Sequence, residues 1–282
     1  MYLVSGADQY VTLFNNKASR SLNTKGAVLL ALKNLFGTPL STIPFYAADN
    51  SGVNSTPLTG SRVKPEHRIT YFQTRAAHKF LSGPALVQMT ECFLKFLKRR
   101  IDEGHINSEW VDQQDLYAFV QDTVFKAAVE ALCGSYLLSM SPTFVEDFWE
   151  FTSAVPILIT GIPRWLSPRP YRTRDRLLDA VRKWHKYAHE HSDCTKIGAN
   201  DPEWEPYFGS KLIRARQEYS AGLEPMNADA LASEDLGLLF AYETPISTNL
   251  SRLTYFTNTS PNIQNEHKFD PIPDMVHIRN MS

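Results

Sequence analysis

The sequence predicts a mainly α-helical chain with minor β-structure. Apolar residues recur at intervals of three and four in one segment after another, while strict alternation is scarce. Gly and Pro fall between the periodic segments rather than within them. A length of 282 residues at 43% hydrophobic content is enough for one large or two ordinary domains. Aromatic residues at 12% argue against a disordered chain.

Taken in order, a first element is expected over Ala7 to about Phe14 and a second over Gly26 to Phe36. In the second, Val28, Leu29, Leu32 and Leu35 recur at helical spacing, and Gly37 follows as a C-cap. Pro39, Pro44, Pro57 and Pro65 then mark residues 38–65 as a long irregular connection, of the kind that forms lids and binding loops. A helix is expected from His67 to Leu81, stopped by Ser82-Gly83-Pro84. The next begins near Ala85, with Leu86, Met89, Phe93, Leu97 and Ile101 on one face. It ends in Lys98-Arg99-Arg100, where cations suit the negative end of the helix dipole.

Further helices are expected from about Asp112 to Leu132 and after Ser141-Pro142, a good N-cap and N1 pair. Pro156 to Pro170 reads as a linker. Tyr171 to Glu190 carries Leu177, Leu178, Val181, Trp184 and Ala188 on one face and an Arg/Lys-rich face opposite. A helix around Glu205 to Gln217 follows. The last begins near Asn227 and runs towards Thr244, apolar nearly all round, which predicts a buried central helix. Past Leu250 no period is sustained, so residues 1–250 are expected to form the domain and 251–282 a divergent, disordered tail.

Composition narrows the function. Lys+Arg 29 against Asp+Glu 30 gives a net charge of -1, which excludes a dominant nucleic-acid footprint. Three cysteines do not make a disulfide scaffold and suit a reducing compartment. No run approaches the roughly 18 apolar residues of a membrane span. Met1 to Gly6 lacks the basic and apolar regions of a signal peptide. The expectation is a soluble, cytoplasmic chain, whose Asn-x-Ser/Thr sequons at Asn54, Asn249, Asn258 and Asn280 are chance.

Three ordered patterns go further. Leu29 to Gly37 is followed by the loop Ala47-Ala48-Asp49-Asn50-Ser51-Gly52. His67-Arg68-Ile69-Thr70-Tyr71-Phe72-Gln73-Thr74-Arg75 leads to Phe80-Leu81-Ser82-Gly83. Glu234-Asp235-Leu236-Gly237-Leu238-Leu239-Phe240-Ala241-Tyr242-Glu243-Thr244 closes the set. In this order, over about residues 1–250, they resemble the N-terminal half of a cytochrome P-450, a haem-thiolate monooxygenase. The likeness is to fungal members of the group that includes sterol 7α-hydroxylases and prostacyclin-synthase-like enzymes.

The resemblance implies an incomplete cytochrome P-450 fold, about helices B to I. It implies haem as cofactor, O₂ and a lipophilic substrate of, for example, steroid type, and electrons from an NADPH-dependent reductase. The family's aromatic-x-x-x-Arg pair reaches the haem propionates, and Tyr71 and Arg75 match it here with Tyr for the usual Trp. Counting back from Ser82 places that pair on Thr70 and Thr74 instead, and His78 or Lys79 stands as an alternative partner. On the residues alone, Tyr71 and Arg75 are equally ordinary members of an amphipathic helix. The family's distal helix carries a small residue, an acid and a Thr. Ala241, Glu243 and Thr244 match that order, Ala241 bordering the O₂ site and the other two forming a proton relay. A helix end broken by Pro245 is the plain alternative.

The family's axial Cys loop has no counterpart, since Cys92, Cys133 and Cys194 all lack its Gly-rich turn. The expectation is a truncated or mis-spliced product, inactive alone; a full-length relative would sit at the endoplasmic reticulum membrane. Peripheral membrane contact is expected through residues 155–190, with the B–C loop and Ile157 to Ile162 lining the substrate cavity. A rival constellation is His185-x-x-x-His189-x-His191-x-x-Cys194, whose i, i+4 histidines have zinc-chelating spacing. That would make the chain a metal-binding or scaffold protein, or a non-catalytic helical remnant. A solvated basic helix end is the other account of those histidines.

Overall fold

A computed structural model describes residues 25–104, 111–113, 115–242 and 278–280, with 111–113 and 278–280 by backbone alone. Among these, the chain is built from helices with two short two-stranded pairings, as the periodicity predicts. The expected element over Ala7 to Phe14 lies outside the described residues.

Helix α1, Lys25–Leu30, runs on as a π-helical turn, Ala31–Leu35. The connection that follows is not wholly irregular, because Ile43–Ala48 forms α2 with Pro44 in its first turn. Helix α3 covers Ile69–Phe80 and α4 covers Gly83–Glu103, again with Pro in the first turn. The same device recurs further on. Pro156 lies in the first turn of α8, Val155–Ile159, and Pro168 opens α9, Pro168–His191, so the expected linker is half helix. A proline in the first turn loses no hydrogen bond, because the N–H groups there have no intrahelical partner. Counted as breakers, these prolines mislead; most of them are starts.

Between α4 and α9 lie β1, Val111–Gln113, then α5, Leu116–Cys133, α6, Tyr136–Met140, and α7, Phe144–Ser153. Helix α5 begins later than expected because Asp115 caps it, accepting from the Ala118 N–H at 2.9 Å. The residues before it are extended, and β1 pairs in parallel with β4, Ile278–Asn280. The hairpin of β2, Trp204–Glu205, and β3, Gly209–Ser210, occupies the expected start of the next helix, so α10 is Lys211–Ala221. The last described helix, α11, spans 228–242.

The core sits where α5, α7, α9 and α11 meet. Phe125 and Phe148 have ring centroids 4.6 Å apart, and Leu177, Val181, Trp184, Leu236 and Leu239 close round them. Helix α11 is buried from Ala232 to Leu236 and again at Leu239, as its all-round apolarity predicts, whereas Ala241 is exposed. Burying the side chains of this cluster at about 1.5–3 kcal/mol each makes it the main stabilising term.

The hairpin is fixed to backbone carbonyls in the last turn of α5. Trp204 Nε1 donates to Glu130 O at 2.9 Å, and Ser210 Oγ donates to Leu132 O at the same distance. The two backbones approach so closely that a Cβ on Gly134, at φ +82°, would overlap the Pro206 carbonyl. Gly134→Ala is therefore expected to cost at least about 3 kcal/mol from left-handed strain and overlap together. Urea denaturation followed by circular dichroism checks this; a loss under about 1 kcal/mol would show that the contact is compliant.

Candidate functional site

Helix α11 buries two adjacent acids, Glu234 and Asp235, in its mainly apolar middle, and these gather side chains from four other helices. Asp235, 1% exposed, accepts from Arg216 Nε of α10 at 2.7 Å and from Gln217 Nε2 at 3.0 Å. His185 Nε2 of α9 lies 3.0 Å from its second oxygen. Glu234 accepts instead from the Tyr46 hydroxyl of α2 and the Gln73 amide of α3, with Arg216 at 3.8 Å. One guanidinium thus serves two buried carboxylates and bonds only one of them directly.

The electrostatics follow that division. Burial pushes both carboxyl groups up. For Asp235 the Arg216 charge and the His185 bond outweigh burial, and it is held below its ordinary value. For Glu234 burial prevails over Arg216 and the Tyr46 bond, and the group is raised. Tyr46 is raised as well, first by burial and then by the charge of Glu234. Glu234-Asp235 opens the last of the three ordered motifs, and the motif by itself assigns the pair no role. The signal was present, since adjacent acids in an apolar helix must find partners or stay neutral.

The histidine constellation does not gather. Among the described residues no three His, Cys, Asp or Glu side chains converge as a metal site. His185 faces inward to Asp235, and the Gln217 amide stands between it and His189, 3.2 Å from the first imidazole and 3.0 Å from the second. His191 turns outward, bonded to Tyr187 O at 2.8 Å and stacked on the Tyr187 ring. The i, i+4 spacing is real, but glutamine fills the space an ion would need. The zinc reading is withdrawn.

Tyr71 and Arg75 lie on α3 one turn apart, on the side away from Gln73 and its bond to Glu234. Tyr71 is half-buried, and the guanidinium over its ring, 4.9 Å from the centroid, belongs to Arg68 rather than Arg75. Arg68 is buried and anchors the loop that follows α2, donating to Gly52 O at 3.1 Å and Asn54 O at 2.7 Å, with Asp49 at 3.7 Å. Arg75 is exposed and makes no ion pair among the described residues. Thr70 and Thr74 are half-buried, and His78 and Lys79 exposed. Ala241 stands at the exposed end of α11; Glu243 and Thr244 lie outside the described residues. In the segment Ile157 to Ile162, Ile159 O accepts from Asn34 Nδ2 at 3.3 Å.

Comparison with curated proteins gives 32% identity over 248 residues to the cytochrome P450 monooxygenase fsoE of Humicola fuscoatra, covering 85% of this chain and 39% of that one. The cytochrome P450 monooxygenase efuG of Hormonema carpetanum is 30% identical, again over 85% of this chain and 40% of the relative. The chain is a relative of the fungal cytochrome P450 monooxygenases. Cytochrome P450 7A1 of Oryctolagus cuniculus is similar more distantly, 23% identical over 58% of this chain. The chain spans about two fifths of the length of the fungal P450 relatives. No family model and no solved structure matches it.

Cytochrome P450 relatives imply haem, so the chain's donors can be tested for it. An iron-ligating cysteine must be a thiolate. Burial pushes the half-buried Cys92 thiol up to about 11, and burial followed by Asp193 raises Cys194. Cys133 is fully buried in the core. None of the three stands in a Gly-rich turn of the kind that tunes an axial thiolate. An exposed Arg75 suits a haem propionate.

The buried acids make a measurable prediction. Asp235, held low, contributes stability above its ordinary value of about 4 that is lost as pH falls through its depressed folded value. Glu234, held high, contributes stability below about 4.5 that is lost as pH rises through its raised value. Asp235→Asn should therefore cost about 3–5 kcal/mol at pH near 7 by leaving Arg216 buried with only a distant partner, and should flatten the acid limb. Glu234→Gln should cost less than about 1.5 kcal/mol and flatten the opposite limb. Urea titrations across pH test both; equal costs would refute the division of labour.

Proposed function

We propose that residues 1–250 supply the distal part of a haem-thiolate monooxygenase, and that this chain does not turn over by itself. Haem, where a relative binds it, supplies the activation of O₂ for insertion of one oxygen atom into a lipophilic substrate, steroids included. In this reading Arg75 and Tyr71 hold propionate oxygens by charge and hydrogen bond. Ala241 leaves room beside the O₂ site, and Glu243 with Thr244 hold and pass a proton there. Electrons come from an NADPH-dependent reductase.

The observation that carries the reading is the arrangement of α3 and α11. They are bound through Gln73 and Glu234, in a chain aligned over 85% of its length with cytochrome P450 monooxygenases. Inactivity rests on the cysteines, none of which stands in the Gly-rich turn that tunes an axial thiolate. A dithionite-reduced, CO-treated sample of the purified chain reconstituted with haem is expected to show no Soret band near about 450 nm. Appearance of that band would overturn the inactivity.

Membrane contact through 155–190 belongs to the same proposal. No helix among the described residues is long and apolar enough to cross a membrane. Between α8 and α9, however, Trp165 is 82% and Leu166 64% exposed, with Arg164 and Arg169 beside them. An aromatic and an aliphatic side chain flanked by cations suit an anionic lipid surface. Trp165→Ser with Leu166→Ser should lower co-sedimentation with phosphatidylserine vesicles about tenfold. Unchanged binding would remove this segment from the contact.

A further inference from the structure

A second cleft lies apart from α3 and α11, between the end of α4, the second half of α5 and the turn from α6 to α7. It encloses about 300 Å³. Three cations line it, Arg99, Arg100 and Lys126, against a single carboxylate, Glu130. Both arginines converge on one oxygen of that carboxylate, Glu130 Oε2, at 2.5 and 2.7 Å. A planar guanidinium carries five donors, so most remain for another acceptor. The Arg100 Nε–H is buried and has no hydrogen-bond partner among the described residues.

The remaining carboxylates nearby are weak competitors. Lys126 leans to Asp122 at 2.8 Å and Arg99 Nε to Glu103 at 3.6 Å. Both acids are about half exposed, so water screens these pairs and either cation can turn inward at little cost. Ser135 and Ser141 add side-chain hydroxyls to the lining, and Leu138 and Val145 add an apolar wall.

We propose that this cleft binds a small phosphate monoester. Excess cationic charge with unspent guanidinium donors selects a multiply charged oxyanion and repels a metal ion. The three phosphate oxygens can take donors from both arginines and Lys126 at once, which a carboxylate cannot. The enclosed volume exceeds that of a phosphate group, and the Leu138–Val145 wall suits an organic substituent. The site needs neither haem nor the remainder of a monooxygenase, so it stands or falls independently of the function proposed above.

Isothermal titration of the purified chain with phenyl phosphate and with inorganic phosphate, at constant ionic strength and pH about 7.5, tests it. Saturable one-to-one binding is expected, with phenyl phosphate about tenfold tighter because of the apolar wall. Lys126→Gln and Arg99→Gln, both at exposed positions, should each weaken it about five- to tenfold. Glu130→Gln removes the internal competitor and should tighten binding about fivefold, whereas a purely structural ion-pair cluster predicts no gain. Absence of saturable binding, affinity unchanged from the parent chain in the two surface variants, or weaker binding by a folded Glu130→Gln chain would overturn the proposal. Should Glu130→Gln fail to fold by circular dichroism, the surface variants alone decide. Preference for inorganic phosphate over its phenyl ester would overturn the assignment to a monoester.

Discussion

The bond from Arg216 to Asp235 is the constraint on which the rest of the described structure depends. Two acids in an apolar helix cannot both remain ionised without a cation, and α10 brings only one within reach. Once Arg216 is committed to Asp235, Glu234 needs neutral donors, and these come from Tyr46 and Gln73. Helices α2, α3, α9 and α10 are thereby all referred to α11. Hydrophobic burial supplies most of the stability, but it is non-directional. The polar network sets which face of each helix turns inward, because a one-turn slip would strand a buried charge.

The hairpin of β2 and β3 has the corresponding task at the end of α5. Carbonyls that a helix leaves unpaired must be met from elsewhere when its end is buried. Ser210 meets Leu132 O, Trp204 adds a second donor to Glu130 O beside the Gly134 N–H, and Gly134 and Gly209, both at positive φ, permit the approach. Trp184, fully buried, donates to Tyr207 O at 2.6 Å and so ties α9 to the same hairpin. A three-residue turn of chain between two short strands therefore fixes α5, α9 and α10 relative to one another.

These two anchors bear on function by what they leave open. Helix α11 is buried up to Leu239 and emerges at Ala241, while Arg75 on α3 stays exposed. The cysteines are spent on packing, and the histidines on the Asp235 network or on tyrosine stacking. Polar chemistry in the described core is thus committed to holding helices together. Accessible polar and apolar groups include the end of α11, the exposed side of α3, the Trp165 loop and the cleft at Arg99 and Lys126.

The sequence by itself determined the helical class, the order of the long helices and the family. Apolar spacing along α5, α9 and α11 reports burial directly, and the ordered motifs report ancestry. It also predicted the buried central helix, since no polar face was available to it. The helix starts at Pro44, Pro84, Pro156 and Pro168 were legible only in part, because proline marks a first turn and a break alike. Tertiary structure alone decided the partners. Which guanidinium meets which carboxylate depends on residues 19 and 18 positions apart, and the bond from Tyr46 to Glu234 spans 188 positions. No local pattern encodes such a separation. His185 illustrates the point: spacing made it a metal-ligand candidate, and only the packing of α9 against α10 and α11 turned its ring to Asp235.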